Sequence, residues 1–559
     1  MKIQLWFLYT VCLLISCGKN SESDDFQRVF RMNIPSSLVS LDPARAKDQT
    51  HHWMCLQLYN GLVGLDSTLT IVPGVSKSWE VSSDGRVYIF HLRDDVFFHA
   101  DKCFNPLSTR KMNAKDVKFS LTRICDPKIA SSGQWIFNHR VEGIELFQSG
   151  KTNNVSGFKV INDSTFEIHL QAPFPPFIYL LAMPYAGILP PEAILFYGDE
   201  FRKHPVGTGP FKLHRWEESR SLILHKNTEY FEAGLPILEV VKFSFHENPI
   251  AAFQELLQGK VDMLNRPDYR LKDEVLTSEG TLKPAWISGE FFKLISVPQL
   301  NTEYLAICSQ LEDKGDIHPI LKDLRIRKAI QHVIDRKALV RLVLNGQGTP
   351  ATAGIIPPGL KAFDSTAVKG YNYSPQKSAQ LLAEAGYPEG KGLPEITLYS
   401  NPSYQALSEF IQYQLSTVGF KIKIEQTEAG SMRDMAARGL LPFWRASWIA
   451  DYPDGENYLS LGYEPFTAPS GPNTTRMKDL VFNQLYERAL LTKDEKDRNR
   501  LYQQADSVLM ERSWIIPLYY DRVIRLVRPE VLNLPADPMN QLVLKYVQKL
   551  PLGSTHNSH

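Results

Sequence analysis

Residue types that do chemistry are present in this 559-residue chain, but not in the spacings that most chemistry demands. A phosphate-cradling loop closes on glycine, lysine and a hydroxyl. Ser149-Gly150-Lys151-Thr152 supplies that ending, yet Glu145 stands where the upstream glycine is required. Gly207-Thr208-Gly209-Pro210 lacks a third glycine and runs into strand-like residues rather than a helix. His51-His52 with Cys55, and His99 with Cys103, offer donors a metal accepts. Neither has zinc spacing, and both read as ordinary core or surface residues. There is no Gly-x-Ser-x-Gly elbow and no His-Glu-x-x-His pair. Nothing nominates a nucleophile, so no catalytic residue, metal ligand or cofactor is expected.

Composition narrows the field further. Lys and Arg number 62 against 61 Asp and Glu, with no long block of one sign, which argues against nucleic-acid binding. A chain this long exceeds what one core fills, so two or three domains are expected. Aromatic residues make up 11%, enough for a large core and for a pocket gripping varied side chains.

The N-terminus carries its own signal. Lys2 precedes the apolar stretch Leu5 to Ile15, which ends at Ser16-Cys17 before the polar Gly18-Lys19-Asn20-Ser21. This is a signal peptide, and it resembles that of a bacterial lipoprotein. Residues 1–17 would then be signal and anchor, with lipid on Cys17, and 18–28 a tether. No later apolar run approaches the ~18 residues of a membrane span. Beyond Cys12 and Cys17, the cysteines Cys55, Cys103, Cys125 and Cys308 form no CxxC pair. They allow one disulfide, Cys103–Cys125, or buried free thiols.

The first half reads as strands and hairpins. Val29–Ile34 alternates, and Ser78–Val81 and Arg86–Leu92 flank the turn Ser83-Asp84-Gly85. Asn113 and Asp116 form a capping box ahead of Val117, Leu121 and Ile124. Hairpins follow at 158–170 and 211–226, then a strand at 240–245 and a helix opened by Asn248-Pro249. From Tyr304 the texture becomes α/β: a strand at 304–308, a helix at 321–335, and a helix capped by Ser374-Pro375. Strands at 396–399, 421–425 and 443–448 alternate with helices. Two more helices precede a late strand, 514–520.

Several stretches together resemble the peptide-binding branch of the bacterial extracellular solute-binding proteins, family 5, which serve ABC importers. They are Ser78-Trp79-Glu80 through Phe97-Phe98 with Ala114-Lys115-Asp116-Val117, then Pro205-Val206-Gly207-Thr208-Gly209-Pro210-Phe211 and Asp323-Leu324-Arg325-Ile326-Arg327-Lys328-Ala329-Ile330. Leu381-Leu382-Ala383-Glu384-Ala385-Gly386-Tyr387 and Trp444-Arg445-Ala446-Ser447-Trp448-Ile449-Ala450-Asp451-Tyr452-Pro453-Asp454 complete the set, in the family's order. The resemblance implies an α/β, two-lobed periplasmic-binding-protein-like fold of type II, with three domains and a hinge-closed central cleft. Residues 29–57, 190–300 and 511–545 would build one lobe, with 58–189 inserted in it as a hairpin-rich domain. Residues 301–510 would form the second lobe.

The same resemblance implies a monomer that captures extended peptides, oligopeptides over dipeptides, and delivers them to a permease. Backbone groups of Ser447 and Ile449 would pair with the ligand whatever its sequence. Asp451 would hold its α-ammonium, Arg445 its carboxylate, and Trp448 would line a side-chain pocket. Gln49, Thr50, Trp135, Asn265 and Tyr304 are further expected contacts. Gln405 and Ala437 stand where some oligopeptide binders have histidines. The alternatives are another solute on the same fold (nickel, haem or an oligosaccharide), or a hydrolase or surface interaction protein.

Overall fold

The computed structural model describes residues 28–35, 38–289, 291–311 and 319–551. The signal segment and Cys17 lie outside the described residues.

Eleven strands among the described residues join in one mixed sheet that runs through both lobes. In the first lobe its order is Phe211–Glu217, Ser221–Lys226, Val240–Phe245, Val29–Ile34 and Met263–Asn265. In the second it is Phe443–Ile449, Glu395–Ser400 and Lys421–Gln426. Two long antiparallel strands, Lys293–Ile307 and Ile515–Val527, carry the sheet from one lobe to the other. Lys293–Pro298 pairs with Arg522–Val527, and Thr302–Ala306 pairs with Ile515–Tyr520. The ladder breaks between Pro298 and Thr302, because proline has no N–H to give a ladder.

Both strands exceed their sequence-based bounds. The first begins at Lys293 rather than Tyr304, and the second continues to Val527 rather than Tyr520. Pro298 and the polar residues around it hide the strand's first half from pattern reading. The expected boundary at 300/301 falls inside this strand, and that at 510/511 inside the helix Glu495–Arg512. The single helix expected over 321–335 is two. Asp323 caps Leu324–Val333, and Asp335 caps Arg336–Leu342 by accepting from Ala338 N–H. Cys103 and Cys125 are free thiols, so the disulfide alternative does not hold.

Local signals otherwise produce the elements they announce. Asn113 and Asp116 close a capping box on the helix Ala114–Cys125, which buries Val117, Leu121 and Ile124. That helix packs on a four-stranded antiparallel sheet in the order Ser76–Val81, Val87–Leu92, Thr165–His169, Phe158–Asn162. Gly85, at φ 75°, turns the first of its hairpins.

In the second lobe, strand alternation divides the core between two faces. Leu305, Ile307 and Phe443 pack on one face with Leu398 and Ile411. Tyr304, Ala306 and Trp444 pack on the other with Tyr486, Tyr502 and Leu509. The lobes also touch away from the crossing strands. Tyr452 of the second lobe is buried in the core of the first, and Leu69 of the first is buried in the core of the second.

Candidate ligand-binding site

The strand Phe443–Ile449 has one occupied edge and one that opens partway along. It pairs with Lys293–Ile307 over its whole length, from Phe443 opposite Ile307 to Ile449 opposite Asn301. On the other side its pairing is with Glu395–Ser400, at Tyr399 opposite Trp444. Beyond that point no strand covers it among the described residues.

The ladder fixes which backbone groups face the open side. Ala450 N–H donates to Leu300 O (2.8 Å) and Cys308 N–H to Pro442 O (3.1 Å), so the even-numbered residues point toward 293–307. The N–H and C=O of Ser447 and Ile449 therefore point toward the open edge.

Asp451 follows the end of this strand. Its backbone N–H donates to Asn457 Oδ1 (3.2 Å), which also accepts from Trp448 Nε1 (2.9 Å). Asn457 is buried in a short helix, Gly455–Leu459, capped by Asp454. The Asp451 side chain reaches solvent yet has protein on most sides, as a group on the wall of a cleft does. Burial pushes its carboxyl up to about 6, against a hydrogen bond from the Asn457 side chain that lowers it. No described basic side chain forms an ion pair with it. Across from it stands Tyr185 of the first lobe, whose phenol is raised to about 12 by burial and by the Asp451 charge. Tyr185 meets His52 edge-on at 5.1 Å, which brings the helix Gln49–Leu58 to this side.

At the other end of the open edge, Arg445 is 6% exposed and ion-paired with Glu303, 2% exposed. Its guanidinium lies over the Tyr404 ring at 3.3 Å. Asn301 Nδ2 donates to Glu303 Oε1 (3.3 Å) and to Asp521 Oδ2 (3.2 Å), and Asp521 pairs with Arg266. Burial, then the Asp521 charge, push the Glu303 carboxyl up, while Arg445 opposes them.

The profile of the family described as Bacterial extracellular solute-binding proteins, family 5 Middle, matches residues 70–469. This chain belongs to that family. The dipeptide-binding protein of Escherichia coli (strain K12) is 28% identical over 513 residues, covering 88% of this chain and 89% of its own. The probable deoxycholate-binding periplasmic protein YgiS of the same organism is 27% identical over 523 residues, 91% of each chain. DppA from Helicobacter pylori, solved in complex with peptide STSA, superposes with a TM-score of 0.72 at 24% identity, covering 95% of this chain and 100% of that one. The fold is the two-lobed type II binding-protein fold.

Within this solute-binding protein the other expected residues scatter. Trp135 stacks on Tyr452 with centroids 6.4 Å apart. Gln49 exchanges two hydrogen bonds with Asn540 (3.3 and 3.0 Å), and Thr50 is buried beside it. Asn265 sits in the short strand next to Ile515–Val527. Tyr304 is buried in the second-lobe core, on the sheet face opposite Arg445, and does not line the edge. Trp448 shares that opposite face. Gln405 bonds Glu409 and Gln426 on an exposed helix start.

Sequence reasoning missed Tyr185, Glu303, Tyr404, Tyr452 and Asn457. Only Tyr452 and Asn457 had a local signal, their place just after Asp451. A cavity of about 540 Å³ lies within the first lobe, lined by residues such as Asn60, Tyr230 and Glu232, and includes none of the strand-edge residues. No group of three or more metal-donor side chains converges among the described residues, and no described helix is long and apolar enough to cross a membrane.

Proposed function

We infer that this family member is the binding component of an ABC importer, takes up extended peptides with a free α-ammonium, and is held at a membrane by lipid on Cys17. The observation that carries the reading is the open edge at Ser447 and Ile449 ending beside Asp451, a carboxylate without a described cation. A strand edge pairs with the amides of any peptide, and a carboxylate in a cleft needs a cation. The E. coli relative named for dipeptides supports the peptide class.

Oligopeptides fit better than dipeptides. From Ile449 back to Arg445 the edge runs roughly 14 Å at about 3.4 Å per residue, twice the length of a dipeptide. Lobe closure about the two crossing strands, Lys293–Ile307 and Ile515–Val527, would bury the ligand. The protein acts as a monomer.

Native mass spectrometry of the protein as purified tests this. Co-purified masses forming a ladder of short peptides are expected. A single non-peptide mass, or stoichiometric bile acid, overturns the peptide reading.

A further inference from the structure

Ion pairing is unequal at the two ends of the open edge. At one end Asp451 has no ion-pair partner among the described residues. At the other, Arg445 is paired with Glu303; behind that pair, across the strand Lys293–Ile307 and level with Ile449, Asp521 is paired with Arg266. Asn301 joins the two acids through its amide, so the four charges form one neutral cluster. The Arg445 guanidinium has Glu303 at its edge and the Tyr404 ring on its face.

A carboxylate arriving at Arg445 would add a second negative charge to one positive charge, and Arg445 and Glu303 are both too buried for solvent to screen it well. A carboxamide adds none. We propose that this protein reads only the ammonium end of its ligand and accepts a C-terminal amide as well as a free acid, because Glu303 neutralises Arg445. The ligand class is therefore extended peptides with a free N-terminus and an unread C-terminus. This rests on the peptide reading above.

The pairing also says how to reverse the preference. Glu303→Gln keeps the shape and a hydrogen-bonding oxygen, and leaves Arg445 with an unmatched charge facing the ligand's far end. The variant gains a preference for free acids, a new property that mere damage to the site does not create.

The experiment offers the full chain equimolar pools of mixed-sequence tri- to pentapeptides as free acids, C-terminal amides and N-acetylated acids, and counts captured masses. Free acids and amides captured within about threefold of each other, with N-acetyl peptides depleted more than tenfold, are expected. Glu303→Gln is expected to take acids over amides by at least tenfold. A wild-type preference for acids of tenfold or more overturns the inference and leaves peptide binding intact. Capture of no pool overturns the peptide reading itself, and the inference with it. Should Glu303→Gln fold poorly, the wild-type ratio of acid to amide decides alone.

Discussion

Trp135 of the first lobe and Tyr452 of the second stack with ring centroids 6.4 Å apart and planes 26° apart. Tyr452 is the residue after Asp451, so one short turn points a carboxylate at the cleft and an aromatic ring into the opposite lobe. Its hydroxyl bonds Glu456, which also accepts from Tyr486, and this anchors the turn to the second-lobe core. The contact between Tyr452 and Trp135 therefore ties the position of Asp451 to the opposite lobe.

The stack should thus contribute to affinity without touching ligand. An aromatic pair contributes about 0.5–1.5 kcal/mol beyond its area. Trp135→Ala and Tyr452→Ala should each weaken peptide binding several-fold, and a double-mutant cycle by calorimetry should show coupling of about that size. Small-angle scattering should find both variants more open. Strictly additive losses would mean the rings do not help close the lobes.

Asp451 makes binding sensitive to pH. Its carboxyl sits near 6 without ligand, and only the carboxylate attracts an ammonium. Affinity should fall as pH drops from 7 through 5, tenfold per unit once well below 6, and Asp451→Asn should remove that slope. The substitution should weaken binding by about 2–5 kcal/mol at pH 7. Stability runs the other way. The folded pKa lies above the ordinary 3.8, so the group's contribution to folding is lost as pH rises through about 6. The empty Asn variant should melt no lower than wild type at pH 7. A wild-type affinity that stays flat between pH 5 and 7 would remove Asp451 from the ammonium site.

What the sequence disclosed was local. The Asn113 to Asp116 box, the turn at Gly85 and the Ser374-Pro375 start each specify their geometry within a few residues, and each appears where expected. The strand 443–449 was legible for the same reason, and with it the place of Asp451. Glu303 was not. It lies 142 residues from Arg445, and their meeting depends on the register that sets Glu303 opposite Ser447. No pattern along the chain encodes a cross-strand diagonal. The split of the expected helix at Asp335 was half legible, since aspartate is a good cap, but neither glycine nor proline marks the break. Tyr452 illustrates the limit best: its place after Asp451 was visible, but an aromatic residue in a loop reveals nothing of which lobe will bury it.

Asp506 offers a second pH test, away from the ligand. It is fully buried, accepts from Ile355 N–H (2.9 Å) and Ile356 N–H (3.2 Å), and burial pushes it up to about 7. Gly354 is required beside it, where a Cβ would meet the carboxylate at 2.0 Å. The folded pKa exceeds the unfolded one, so this group favours folding below about 4 and loses that advantage as pH rises through 7. The melting temperature of Asp506→Asn relative to wild type should therefore rise between pH 5 and 8. Asp506→Ala strands two N–H groups and should cost about 1–3 kcal/mol at either pH. A pH-independent difference for Asn would mean that the carboxyl does not titrate between pH 5 and 8.

Membrane attachment is tested at Cys17. Cys17→Ser should move the protein from the membrane fraction to the soluble one, and the wild type should resist a high-salt wash. Retention of the variant after that wash would rule out a lipid on this residue.

The open edge itself is backbone, so it must be probed from the ligand. Beyond the pairing at Trp444 the groups of Ser447 and Ile449 face outward, and successive residues of an added strand turn their amides alternately toward and away from the protein. N-methylation of the ligand should therefore act with a period of two. Where a ligand N–H points at the edge, the methyl removes the donor and leaves an acceptor of residue 447 or 449 buried without a partner, a loss of about 1–3 kcal/mol. At the next amide the methyl points toward the first lobe and should act differently. The ammonium is untouched throughout, so Asp451 holds the register while the amides are scanned. Ser447→Ala should be nearly neutral, because its contribution is through the main chain. Calorimetry on a tetrapeptide methylated singly at each amide, against wild type and Ser447→Ala, gives the pattern. Equal losses at every amide, or a large effect of Ser447→Ala, would show that the ligand does not lie along this edge as an added strand.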